Sequence, residues 1–130
     1  MDKNHFYDYS KPVEVAKGVY WVGSYDPKEM FYCNPYLLVD GDEAVLFDPG
    51  GVIDYSKIAE KVFSIVEPAQ ISHVVLHHQD PDMCACLPLL EQVIDQGQIK
   101  IVTHSMASII IRYYGIKSEF YLVDKNRSEE

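Results

Sequence analysis

The sequence predicts an α+β domain in which a mixed β-sheet carries helices packed on it. Three observations predict it. Up to Gly51, short runs rich in β-branched and aromatic residues alternate with turn residues, and Asp40-Gly41-Asp42 is a strong hairpin signal. After Gly51 the apolar spacing changes from strand-like to three and four residues. From there, helix-like and strand-like segments alternate to the end of the chain.

Residues 19–22 predict a strand, residues 24–28 a turn, and residues 36–39 and 44–47 two further strands joined at Asp40-Gly41-Asp42. Asp48-Pro49-Gly50-Gly51 breaks the sheet. Ile58, Val62 and Ile65, with Ala59, Phe63 and Val66 beside them, predict an amphipathic helix capped by Asp54 or Ser56 and ended by Pro68. Residues 74–77 form a continuous apolar run, as in a strand buried on both faces. A second helix starts near Cys84 or Cys86, with Pro88 in its first turn. Leu90, Val93 and Ile94 line its inner face, and Gly97 stops it. Residues 99–103 are a strand, Ser105 caps a third helix running through Tyr114 to Gly115, and residues 120–123 are the last strand. Residues 126–130 form a polar tail.

The 130 residues suit one domain, and 48% hydrophobic content supports a packed core. A net charge of −9 argues against a nucleic-acid partner. No apolar run approaches the roughly 20 residues that span a bilayer, so no membrane partner is expected. Met1-Asp2-Lys3-Asn4-His5 is not followed by the apolar stretch of a signal peptide. Cys33, Cys84 and Cys86 are odd in number and include a Cys-x-Cys pair. They do not read as a disulfide framework, and a cytoplasmic location is expected, with small, partly buried thiols favoured over a soft-metal site at Cys84 and Cys86.

The chemistry concentrates in His77-His78-Gln79-Asp80-Pro81-Asp82, directly after Val74-Val75-Leu76. In an extended segment, residues two apart point the same way. Pro81 pushes Asp80 towards that conformation. His78, Asp80 and Asp82 are thus expected to converge on a metal-sized volume. Imidazole with carboxylate suits iron, manganese or zinc better than calcium, and two carboxylates favour iron or manganese. Structural readings compete: Asp82 as a helix cap, Asp80-Pro81 as a turn pair, His77 as a packed strand end. Asp48, beside a flexible turn, reads as a ligand, as a partner orienting a histidine, or as an Asx-turn residue. His104 reads as a helix-start residue. His73 reads as a surface residue preceding its strand, and His5 carries little signal. There is no Gly-x-Gly-x-x-Gly, no phosphate loop and no serine nucleophile elbow.

Asn34-Pro35-Tyr36-Leu37-Leu38-Val39, Leu46-Phe47-Asp48-Pro49-Gly50 and His78-Gln79-Asp80-Pro81-Asp82 together resemble the metallo-β-lactamase superfamily. The aspartate at the second ligand position resembles its diiron branch, most of all the oxygen-binding diiron proteins related to flavodiiron proteins. The resemblance implies an αββα sandwich of which this chain covers about the first half, apparently truncated at its C-terminus. It implies His78 and Asp80 on one iron, Asp82 on a second, and Asp48, His77 and Met83 around them. Met83 stands where the family pattern usually has a histidine, and a thioether is a poor ligand for a hard iron. The implied function is dioxygen binding with an oxygen-sensing or redox-signalling role, without the flavin domain of flavodiiron reductases. Chemotaxis-type signalling proteins are implied partners. The sheet face meant for a second sheet would be bare, so a homo-oligomer is expected. Zinc or manganese are the alternative metals, and two other readings stand beside this one: a metal-dependent hydrolase of the same superfamily, which zinc would favour, and a metal-free half-domain acting as an assembly or binding unit.

Overall fold

A computed structural model describes residues 8–26, 31–94 and 98–126. Among them are nine strands: β1 (Val13–Ala16), β2 (Val19–Trp21), β3 (Ser24–Asp26), β4 (Phe31–Cys33), β5 (Tyr36–Asp40), β6 (Glu43–Phe47), β7 (Ile71–Val75), β8 (Lys100–Thr103) and β9 (Glu119–Leu122). The helices are α1 (Tyr55–Phe63), α2 (Pro81–Cys84), α3 (Leu87–Val93), α4 (Ser105–Ile111) and α5 (Val123–Asn126). Seven strands form one sheet in the order β1-β2-β5-β6-β7-β8-β9, while β3 and β4 make a separate ribbon. Pairing is antiparallel from β1 to β6 and parallel from β6 to β9.

The switch in pairing follows from the connections. Gly41, at φ +61°, closes a two-residue turn with Asp40 opposite Glu43, so β5 and β6 must run antiparallel. From β6 onward each strand returns through a helix, which makes the next pairing parallel. These crossovers step across the sheet in one direction, and right-handed connections then put their helices on one face. Burial agrees with that placement. Leu37, Leu46, Val74 and Ile101 lie side by side in register and are at most 1% exposed. They join Ile58 and Val62 of α1, Leu87 and Leu90 of α3 and Ile111 of α4 in one core.

The other face carries the neighbouring rows. Tyr36, Phe47, Val75, Val102 and Tyr121 are paired across five strands. Tyr36, Leu38 and Tyr121 are 38–44% exposed, and Phe47, Val75 and Val102 are half-buried. Among the described residues no helix covers this face.

Several local expectations need correction. Residues 24–26 form β3, paired with β4, rather than the start of a turn; residues 27–28 lie outside the described residues. α1 stops at Phe63, and Pro68 opens a 3₁₀ turn instead of ending the helix. Its cap position is Asp54, whose side chain makes no capping bond. β7 ends at Val75, and His73 lies inside it with Nδ1 on the Ser72 hydroxyl rather than ahead of it. Val93 is 49% exposed, while Leu90 and Ile94 are buried as expected; Gly97 lies outside the described residues. The N-cap of α4 is His104, whose Nδ1 accepts from the Met106 amide. Ser105 instead bonds the Asp124 carboxylate. That helix turns into a 3₁₀ turn at Arg112–Tyr114 before Gly115, at φ +84°, stops it. His5 and residues 127–130 lie outside the described residues.

Candidate metal centre

The acidic-histidine run leaves the sheet at the C-terminal end of β7, next to the turn that follows β6. Parallel pairing brings these two exits together, since Phe47 lies opposite Val75. The Asp48 amide donates to the Val75 carbonyl at 2.9 Å. Asp48 sits at φ +49°, the only described non-glycine residue with positive φ. That backbone turns its carboxylate onto His77. Oδ1 accepts from the His77 amide at 2.8 Å, and Oδ2 is 2.6 Å from His77 Nδ1. A carboxylate only accepts, so Nδ1 carries the hydrogen; in the neutral ring Nε2 keeps a lone pair. The imidazole stacks on Phe47 at 6.3 Å between ring centres. His77 is therefore no packed strand end: its side chain is 63% exposed and held by Asp48.

Gly50 lets this turn press against the loop. The Gly50 amide donates to the Met83 carbonyl at 2.8 Å, and the Cys86 amide donates to the Gly50 carbonyl at 3.1 Å. Gly50 sits at φ +104°, and a Cβ there would fall 2.9 Å from both Cys33 Sγ and Ile58 Cδ1.

The run itself is half extended and half helical. Asp80, at φ −62° and ψ 141°, is extended, as Pro81 requires. Pro81 then opens α2, with Asp80 as its N-cap and Asp82 in its first turn. Asp80 is thus extended as expected, and the two-residue alternation is lost at Asp82, because Pro at a first helical position starts a helix. Asp82 is not the cap. His78, Asp80 and Asp82 are all exposed, and Met83 is half-buried. Asp82 and Met83 line a small cleft of about 130 Å³ together with Asp48, Asn34 and Cys33. Asn34 is fixed there by the Trp21 indole, which donates to its Oδ1 at 2.9 Å.

The loop is also tied from beneath. The Tyr114 hydroxyl donates to the Gln79 carbonyl at 2.9 Å. The Cys84 thiol approaches the Gln79 and Asp80 carbonyls at 3.4 and 3.3 Å. Sequence reasoning missed both ties, because neither residue type at that spacing signals a contact with the loop. The three cysteines are free and buried. Burial pushes Cys33 and Cys84 up to about 11 and Cys86 up to about 12. They are neutral thiols at neutral pH, and the thiol is a poor metal ligand.

In kind, the donors suit a hard divalent cation: one imidazole and two carboxylates. In number they fall short, since no three His, Cys, Asp or Glu side chains among the described residues stand close enough to hold a metal ion. No described helix is long and apolar enough to cross a membrane.

A seven-stranded mixed sheet with helices on one face matches part of the metallo-β-lactamase-like fold. The sequence pattern of the family described as "ODP family beta lactamase" matches residues 31–129, and the chain belongs to that family. A curated relative, a nitric oxide reductase of Moorella thermoacetica, is 22% identical over 92% of this chain and 33% of its own length. Among solved structures, the rubredoxin oxygen:oxidoreductase of Desulfovibrio gigas superposes with a TM-score of 0.75 at 21% identity, covering 87% of this chain and 31% of that one. The flavodiiron protein of Giardia intestinalis gives 0.74 at 17% identity, over 92% and 31%. A subclass B3 metallo-β-lactamase from a soil metagenome gives 0.67 at 15% identity, over 81% and 38%. The chain thus spans about a third of the length of the relatives it matches.

Proposed function

We propose that this chain provides part of a non-haem diiron site that binds dioxygen, in an oxygen-sensing or redox-signalling role. One observation carries the reading: a His-x-Asp-x-Asp loop, in a chain of this family, is clamped at the strand ends by Asp48 and by the Gly50 turn. His78 and Asp80 would hold one iron and Asp82 a second, and further donors would come from outside the described residues. Iron would supply reversible electron donation to dioxygen. The chain's own contribution is placement: Asp48 orients His77 and anchors the start of the loop, and α2 carries Asp82 and Met83. Met83 in place of a histidine, and carboxylates at positions 80 and 82, favour iron over a dizinc hydrolytic pair. A cytoplasmic location, a signalling partner and self-association belong to the same proposal.

The test is anaerobic loading with ferrous iron followed by admission of air. Stoichiometric iron and a new visible absorption band on oxygenation are expected. Substoichiometric iron with no optical change would overturn the reading, and preferential retention of zinc would favour a hydrolase.

A further inference from the structure

We propose that Tyr114 is a positioning residue for the ligand loop, its hydroxyl setting the direction in which the Asp80 carboxylate leaves the backbone. The proposal rests on the reading of His78 and Asp80 as metal ligands. Tyr114 lies 35 residues from the loop, at the end of the 3₁₀ turn Arg112–Tyr114, and its hydroxyl donates to the Gln79 carbonyl at 2.9 Å. That carbonyl belongs to the peptide plane between Gln79 and Asp80. On the other side of Asp80, its carbonyl accepts from the Met83 and Cys84 amides at 2.9 and 3.2 Å, so holding both peptide planes holds φ of Asp80 and with it the direction of Cβ. The same plane sits between the two residues proposed to share one metal.

Tyr114 is well placed for this. Ile111, just before its turn, is fully buried, and the Tyr114 ring packs against the core. Gly115 at φ +84° ends the segment directly behind it. The anchor is thus packed on the core, whereas among the described residues the loop makes no sheet-ladder hydrogen bonds. The remaining donor to the Gln79 carbonyl is the Cys84 thiol at 3.4 Å, a weak donor. Without the phenol, the Gln79 carbonyl keeps only that weak donor among the described residues. Partners of this kind, which orient ligands without touching metal, typically change metal affinity by about 10–100-fold when lost.

The test compares Tyr114→Phe with Tyr113→Phe, a control at a neighbouring side chain that is 84% exposed. The full chain is titrated with cobalt(II), which reports both affinity and coordination geometry through its visible spectrum. Tyr114→Phe is expected to bind cobalt about 10-fold more weakly than wild type with an altered spectrum, while Tyr113→Phe matches wild type. Unchanged affinity and spectrum in Tyr114→Phe would overturn the proposal. So would a weakening matched by Tyr113→Phe. If the wild-type chain takes up no cobalt, the ligand reading fails and the metal-free protein still tests the tie. Faster amide hydrogen exchange confined to residues 78–84 in Tyr114→Phe supports the tie between Tyr114 and the loop, and exchange equal to wild type overturns it.

Discussion

The two faces of the sheet are built from the same kinds of residue and have different fates. Leu37, Leu46, Val74 and Ile101 on one face are sealed under α1, α3 and α4. Tyr36, Phe47, Val75, Val102 and Tyr121, one residue along each strand, make an equally continuous apolar row with no helix over it among the described residues. Apolar content therefore does not decide which face becomes the core. Chain direction does, because right-handed crossovers stepping one way can cover only one side. An uncovered row of this kind marks an interaction surface or an association liability.

The largest expected effect separates the faces by mutation. Leu46→Ala, on the covered face and 1% exposed, is expected to cost about 2–5 kcal/mol in urea unfolding. The paired substitutions Val75→Thr and Tyr121→Ser, on the open face, are expected to change stability by about 0.5 kcal/mol or less and to reduce self-association in light scattering. A large stability loss from the open-face pair would show that this row is already covered.

A smaller effect sharpens the description of the covered side. Burial raises the thiols of Cys33 and Cys84 to about 11 and Cys86 to about 12, from an ordinary 9.0. A group raised in the folded state contributes stability that is complete below its unfolded value and is lost as pH rises through its folded value. Unfolding midpoints should therefore hold up to about pH 9 and fall between there and pH 12, over the interval those values span. Cys33→Ala should flatten part of that decline relative to wild type. An identical decline in both would mean that ionisation of the Cys33 thiol contributes nothing.

Much of the fold was legible in the sequence. The Asp-Gly turn, the change of apolar period and Gly115 each act through their immediate neighbours, so a local pattern identifies them. Lys61 was not legible. It lies at the edge of the apolar stripe of α1, yet it is 5% exposed, with its ammonium donating to the Tyr9 and Gly23 carbonyls over the Trp21 ring. Nothing near position 61 in sequence signals those partners. Of the site, the run from His78 to Asp82 and the nearness of Asp48 were visible. Two features were not. Pro81 both extends Asp80 and starts α2, and the second effect moves Asp82 off the expected alternation. That Asp48 orients a histidine was among its sequence readings, but which histidine was not, because that follows from parallel pairing setting the two strand exits side by side, a long-range consequence of topology.

The central claim is that His78 and Asp80 are metal ligands held in place by the loop. It is tested most directly by iron analysis of the purified wild-type chain beside a His78→Ala/Asp80→Ala double variant, both loaded with ferrous iron under anaerobic conditions and freed of unbound metal. The account predicts iron retained by wild type and lost from the double variant, with both chains folded by circular dichroism. Equal iron in the two chains would contradict it.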